Sequence, residues 1–122
     1  VGFTRTNTLA THLLSKNLEE TLSYLQEIDE AGFNLVQLTK DLIHYLRRIL
    51  AFKFDPKLEK YFEKEMTKDE LEAIRKHADS IKDADNIIEL LKALIRAYSQ
   101  MRYSPFAIVP LEVAIIENLK AN

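Results

Sequence analysis

The chain has 122 residues, with two glycines, three prolines and no cysteine; 47% are hydrophobic and 30% charged. This is enough chain for one domain with a real core, in the composition of a soluble globular protein rather than a disordered tail. The lack of cysteine excludes a disulfide scaffold, Cys-ligated zinc and thiol catalysis, and fits a cytoplasmic setting, while two glycines exclude a Gly-rich phosphate loop.

Hydrophobic spacing is helical almost throughout, and no period-two strand or hairpin dipeptide interrupts it. The expected class is all-α, a compact bundle of five to six helices, mostly antiparallel neighbours, in a single domain over residues 1–122. A short first segment, Thr8 to Ser15, carries Leu9, Leu13 and Leu14. Asn17 can cap a second helix with the stripe Leu18, Leu22, Leu25 and Ile28, and Gly32 ends it. Asn34 caps a third, with Gln37 in capping-box position. This third helix has two apolar stripes: Leu35, Leu38, Leu42, Leu46 and Ile49 on one side, Val36, Ile43 and Leu50 on another. A helix apolar on two sides is expected between neighbours, at the centre of the bundle. It ends before Asp55-Pro56, because the residue before proline disfavours the helical region.

Residues 57–64 read as one or two short helical turns. Thr67 and Glu70 form a capping box for a helix carrying Leu71, Ile74, Ala78 and Ile81. Asp83 or Asp85 caps the next helix, which runs through Ile87, Ile88, Leu91, Leu94, Ile95, Tyr98 and Met101 and stops before Ser104-Pro105. Pro110 is expected at the first position of a last helix, where its missing N–H costs nothing. Leu111, Ala114, Ile115, Ile116 and Leu119 follow.

The net charge is −2, which does not indicate a basic nucleic-acid binder. Its distribution is uneven. Residues 17–31 hold five acidic side chains and no Lys or Arg, whereas residues 40–64 hold seven basic and four acidic ones. Within the second stretch, Arg47, Arg48 and Lys53 are weak candidates for facing DNA; a solvated helix face is the commoner meaning of such a run. No apolar stretch approaches the roughly 20 residues of a membrane span, and no signal-peptide pattern follows Val1. A start on Val rather than Met is read as a piece of a longer chain or a processed product.

Catalytic chemistry finds little support. GxxxxGK[ST] and HExxH are both absent. Asp41 and His44 lie one helical turn apart, too few ligands for a metal site. Asp83-Ala84-Asp85-Asn86 opens like a calcium loop but lacks its Gly and later Glu, so capping explains it better. No serine sits in a sharp Gly-flanked turn with a base and an orienting group. No catalytic, cofactor-binding or metal-ligating residue is therefore assigned. One segment stands apart, Tyr98 to Leu119. Arg102 closes the long helix near its negative end and Glu112 opens the last near its positive end, so an Arg102–Glu112 pair is expected to clamp the connection.

That segment carries a resemblance. Arg102, Ser104-Pro105 and Pro110-Leu111-Glu112, followed by an apolar helix, resemble the end of domain III of the gamma/tau subunit of bacterial DNA polymerase III. The earlier half is similar to the same family. A helix ending Asp29-Glu30-Ala31-Gly32 leads to one in which Leu38, Asp41, Leu42, Leu46, Arg47 and Leu50 match its Leu-rich pattern. The chain departs from it at Phe106-Ala107-Ile108-Val109, where the family is often Arg-rich, and residues 53–86 match none of its motifs.

The resemblance implies a non-catalytic fragment: the helical collar of the clamp-loader motor subunit. Such a collar holds a pentameric ring that places the sliding clamp on primed DNA. It implies partners among the other clamp-loader subunits, with DNA met only indirectly and no membrane or small-molecule ligand. ATP and Mg would belong to AAA+ domains elsewhere in the parent. A head-to-tail ring needs two different surfaces on each copy. The candidates are the long helix around Tyr98 and Arg102, and the exposed part of Ile108, Val109 and Ile116, with Glu112 as the clamp. As a core is equally well made of such residues, two other readings stay open: a ligand-binding or enzymatic bundle with an internal cavity, and a generic helical adaptor.

Overall fold

In the computed structural model, which describes residues 2–120, all regular structure is helical. The helices are α1 (Gly2–Leu14), α2 (Leu18–Glu30), α3 (Leu35–Phe54), α4 (Glu59–Phe62), α5 (Lys68–Ser80), α6 (Ala84–Met101) and α7 (Ile108–Leu119), with a 3-10 turn at Pro56–Leu58 before α4. Six are long and α4 is a single turn, so the all-α class holds and the count rises by one.

Local signals set most of the boundaries. The Asn17 side chain accepts from the Glu20 N–H at 3.1 Å, and Asn34 does the same for Gln37 at 3.0 Å. Thr67 and Glu70 close a full capping box, each side chain accepting the other's backbone N–H. Asp83, rather than Asp85, caps α6 by accepting from the N–H groups of Asp85 and Asn86. The expected box at Asn34 is only half made: the Gln37 amide turns outward and donates to Asp41 Oδ1 at 2.9 Å.

Two helix ends share one geometry. After α2, Gly32 N–H donates to Asp29 O and Phe33 N–H to Ile28 O, with Gly32 at φ +82°. After α1, Lys16 N–H donates to Leu13 O and Asn17 N–H to His12 O, with Lys16 at φ +59°. Both are left-handed C′ positions that satisfy the last carbonyls, and glycine adopts that conformation without the Cβ penalty that lysine bears.

Two elements start earlier than expected. The short segment from Thr8 is the second half of α1, whose buried stripe begins at Thr6. A threonine breaks the apolar pattern, yet Thr6 is buried because its hydroxyl donates to Gly2 O at 3.0 Å. Helix α7 begins at Ile108, so Pro110 sits at its third position rather than its first. Ile108 lies on the same stripe as Leu111 and Ile115 and packs on the core, which draws the chain into helix before the proline. A first-turn N–H has no intrahelical acceptor, so the proline remains harmless there.

Helix α3 is the centre of the bundle and packs against α1, α5 and α6. Leu42, Leu46 and Ile49 have no exposed surface and meet Leu9, Ile74, Leu94 and Ile115 in one core that draws on every helix except α4. Consecutive helices pack together at α1/α2 and α6/α7, which share close contacts across short links. Helix α3 finds its main neighbours in α5 and α6, and α2, packed chiefly on α1, also reaches α7 at the far end of the chain. Between α6 and α7 the contact is made by Ala93, Ala97 and Ala114, three small side chains that let the two backbones approach.

Candidate interaction surface

Helix α7 reads IVPLEVAIIENL, apolar nearly all the way round. Its inner stripe, Leu111, Ala114, Ile115 and Leu119, is buried. Its outer stripe is not: Val109, Val113 and Ile116 keep 49, 47 and 36% of their surface exposed. Their spacing of four and three residues aligns them along one face. Phe106, just before the helix, is 69% exposed. Glu112 and Glu117 are the charged residues of α7, and α2, packed beside it, carries Glu19, Glu20, Glu27, Asp29 and Glu30. These two neighbouring helices hold no Lys, Arg or His at all.

The long helix α6 has its own exposed apolar residue in Ile95, 51% exposed, with Leu91 and Tyr98 half-buried beside it. One turn beyond, the Arg102 guanidinium lies 6.0 Å from the ring centroids of both Tyr98 and Tyr103. Arg102 and Glu112 do not form the expected clamp; among the described residues the ion pairs are Arg48–Glu65, Arg75–Glu59, Lys76–Glu72 and Lys92–Glu89. Helix dipoles suit both charges at their helix ends but do not set side-chain direction, and the Arg102 guanidinium lies by two aromatic rings instead. Ile108 is half-buried against the core, so of the expected outer residues only Val109 and Ile116 are openly exposed. Val113 completes their stripe and escaped the sequence reading, although its i, i+4 relation to Val109 was there to find.

The three candidate DNA-facing residues do not converge. Arg48 pairs with Glu65 at 3.4 Å, and the Lys53 ammonium donates to the Ala78 carbonyl at 3.3 Å. Arg47 alone of the three points an uncommitted charge to solvent, and steps of one and five residues turn the three side chains to different sides of α3. Asp41 accepts from Gln37, and among the described residues no group of three or more His, Asp or Glu side chains could hold a metal ion.

A polar cluster that sequence reasoning missed lies between α1, α3 and α5. Asn7 Oδ1 accepts from the Tyr45 hydroxyl at 3.1 Å and from His77 Nε2 at 2.8 Å. Phe3, Tyr45 and His77 stack edge-to-face in succession, at 5.7 Å for each pair. Burial raises the Tyr45 phenol well above its ordinary range, with a smaller contribution from the Glu70 carboxylate, and burial lowers the His77 imidazole. The neighbouring hollow, about 460 Å³, is lined by Asn7, Thr11, Asp69, Glu72, Lys76 and His77. Its groups are mutually satisfied, which makes the cluster a polar rivet between helices.

With this geometry in view, comparison with known proteins identifies the class. Residues 3–122 match the family described as domain III of DNA polymerase III subunits gamma and tau, and the chain belongs to that family. The match runs through residues 53–86, where no family motif was visible. The chain is 28% identical over 109 residues to the DNA polymerase III subunit tau of Bacillus subtilis (strain 168), covering 89% of this chain and 19% of that protein. The chain thus spans about a fifth of the relative's length. No solved structure matches. Among the described residues no helix is long and apolar enough to cross a membrane.

Proposed function

We propose that this chain is the collar module of a clamp-loader subunit, holding the loader's subunits together while the sliding clamp is placed on primed DNA. The observation that carries the reading is the outer stripe of α7. In a member of the gamma/tau domain III family, Val109, Val113 and Ile116 form an exposed apolar row on a helix that is already packed from within. A contiguous apolar strip on a rigid helix is a protein-docking surface. The module works by shape and packing: its helices satisfy their own backbone, and its core holds the outer face in one geometry while attached domains move.

In this reading the chain performs no catalysis and takes no cofactor of its own. Nucleotide and Mg belong to other parts of the polypeptide, since Gly2 and Gly32 are too few and too far apart for a phosphate cradle. Its partners are the other loader subunits in the cytoplasm, and DNA is met only through the assembled ring.

Val113→Asp with Ile116→Asp, introduced into the complete subunit, tests this. Co-purification with the remaining loader subunits should be lost, and clamp loading with it, while the module still folds and melts in one cooperative transition, and the milder Val113→Ser with Ile116→Ser weakens co-purification in the same direction. Full assembly by the folded variant overturns the reading.

A further inference from the structure

Between α3 and α5 the chain winds helically from Pro56 to Met66, through the 3-10 turn, α4 and the turns that close it. No residue of the 3-10 turn or of α4 is buried, yet the segment has two unlike sides. Leu58, Glu59, Phe62 and Met66 are half-buried. Lys57, Lys60, Tyr61 and Lys64 are exposed, and their spacing of three, one and three residues sets them on one face.

The charges are sorted in the same way. Glu59 pairs with Arg75 of α5 at 2.8 Å and Glu65 with Arg48 of α3 at 3.4 Å, while Asp55 accepts from the Lys57 N–H at 3.2 Å. Glu63 is left at the margin of the lysine row, about 60° around the helix from Lys60. Lys57, Lys60 and Lys64 belong to no ion pair among the described residues, and they follow one another within about 10 Å along the axis. Tyr61, 55% exposed, stands within the row, with the Lys60 ammonium 5.5 Å from its ring centroid. Phe54, 69% exposed, ends α3 just before it. The basic excess of residues 40–64 thus has one concentrated outlet, on the segment that follows Lys53 rather than at Arg47, Arg48 and Lys53.

We infer that this face binds single-stranded DNA, its three lysines on successive phosphates and the Tyr61 ring stacked on a base. A polyanion matches a row of unpaired cations from which the neighbouring carboxylates are withdrawn into pairs and caps. An exposed ring among those cations fits an unstacked base, which a duplex does not offer. A protein partner fits less well, because lysine is depleted at protein interfaces. The contact reads no sequence: ammonium groups on phosphates and a ring on the face of a base carry no hydrogen-bond code. Primed DNA presents such a strand, since its template continues unpaired beyond the primer. The inference goes beyond the assembly reading, which rests on α7 and leaves DNA to the ring as a whole. It gives this chain a contact of its own within that ring.

The test titrates the chain into a fluorescently labelled oligothymidylate of about 20 nucleotides and follows anisotropy. Binding is expected at low salt, with log K falling against log salt at a slope of about 2, roughly 0.7 for each of three phosphates. Lys60→Glu with Lys64→Glu should weaken binding about ten-fold or more and flatten that slope. Tyr61→Ala should weaken binding and leave the slope as it was, whereas Tyr61→Phe, which keeps the ring, should bind as the parent does. These residues are exposed, so thermal melts should match the parent chain. Lys40→Glu with Arg47→Glu makes the same change of net charge on α3 and should leave the affinity unchanged. A duplex of the same length should bind more weakly. The inference is overturned by a parent chain that does not bind, by a Lys60/Lys64 or Tyr61→Ala variant that binds as the parent does, by an equal loss from the Lys40/Arg47 reversal, or by a duplex that binds as tightly as the single strand. Polyglutamate of equal charge that competes as well as the oligonucleotide overturns it too, and assigns the face to an acidic protein. None of these outcomes touches the assembly reading, which is tested by co-purification of the complete subunit.

Discussion

Helices α3 and α7 are both apolar on more than one side, and they end up in opposite situations. Helix α3 lies between neighbours: its main stripe is buried and its second stripe, through Val36 and Ile43, is half-covered. Helix α7 lies at the margin of the bundle, and its outer row meets water. Excess apolar surface thus has two uses. At the centre it joins layers of one chain; at the edge it is left over, and in this family we read it as the place where another chain sits.

The largest expected effect is at the centre. Leu46 on α3 is fully buried, and Leu46→Ala should destabilise the chain by about 2–5 kcal/mol, through lost transfer energy and the cavity left behind. Urea unfolding measures this; a loss below about 1 kcal/mol would show that α3 is not the pivot of the core.

An intermediate effect is expected where α3 meets α5. Burial holds His77 below the ordinary imidazole value of 6.5, so the folded chain binds this proton less readily than the unfolded one. The contribution is complete above pH 6.5 and declines as the pH falls from there toward the lowered folded value. His77→Gln should flatten the decline in stability measured between pH 7.5 and pH 5. An unchanged slope would assign the acid sensitivity to carboxylates instead.

The smallest effect on stability is expected at the edge. Val113→Ser on the outer face of α7 should change the unfolding free energy by no more than about 0.5 kcal/mol, the range of ordinary surface substitutions. A loss comparable to that of Leu46→Ala would mean that the outer row supports the core and would erase the contrast between the two helices.

Much of the fold was legible because its signals are local. Asn17, Asn34, Thr67 with Glu70, and Asp83 each cap a helix through a bond to a backbone N–H no more than three residues away; spacing alone marks the first three caps and leaves Asp83 and Asp85 as alternatives for α6. Gly32 marked its helix end for a similar reason. Lys16 ends α1 in the same conformation and could not be read, because nothing about lysine announces a left-handed residue. The start of α1 was hidden by Thr6, whose burial depends on a hydroxyl bond back to Gly2. The site was less legible. Val109 and Ile116 stand out in the sequence and are exposed, Val113 is exposed without standing out, and Arg102 and Glu112, though at helix ends that suit their charges, form no ion pair in the fold.

The sequence by itself determined the helical class, the caps and the inner stripes, because those follow from 3.6-residue periodicity and from bonds within one turn. Tertiary structure alone decided which apolar stripe is covered, and it joined Asn7 to Tyr45 and His77 across 38 and 70 residues. It also left Arg102 among aromatic rings rather than on a carboxylate. Periodicity records that a face is apolar; only the arrangement of the other helices determines whether protein or water lies against it.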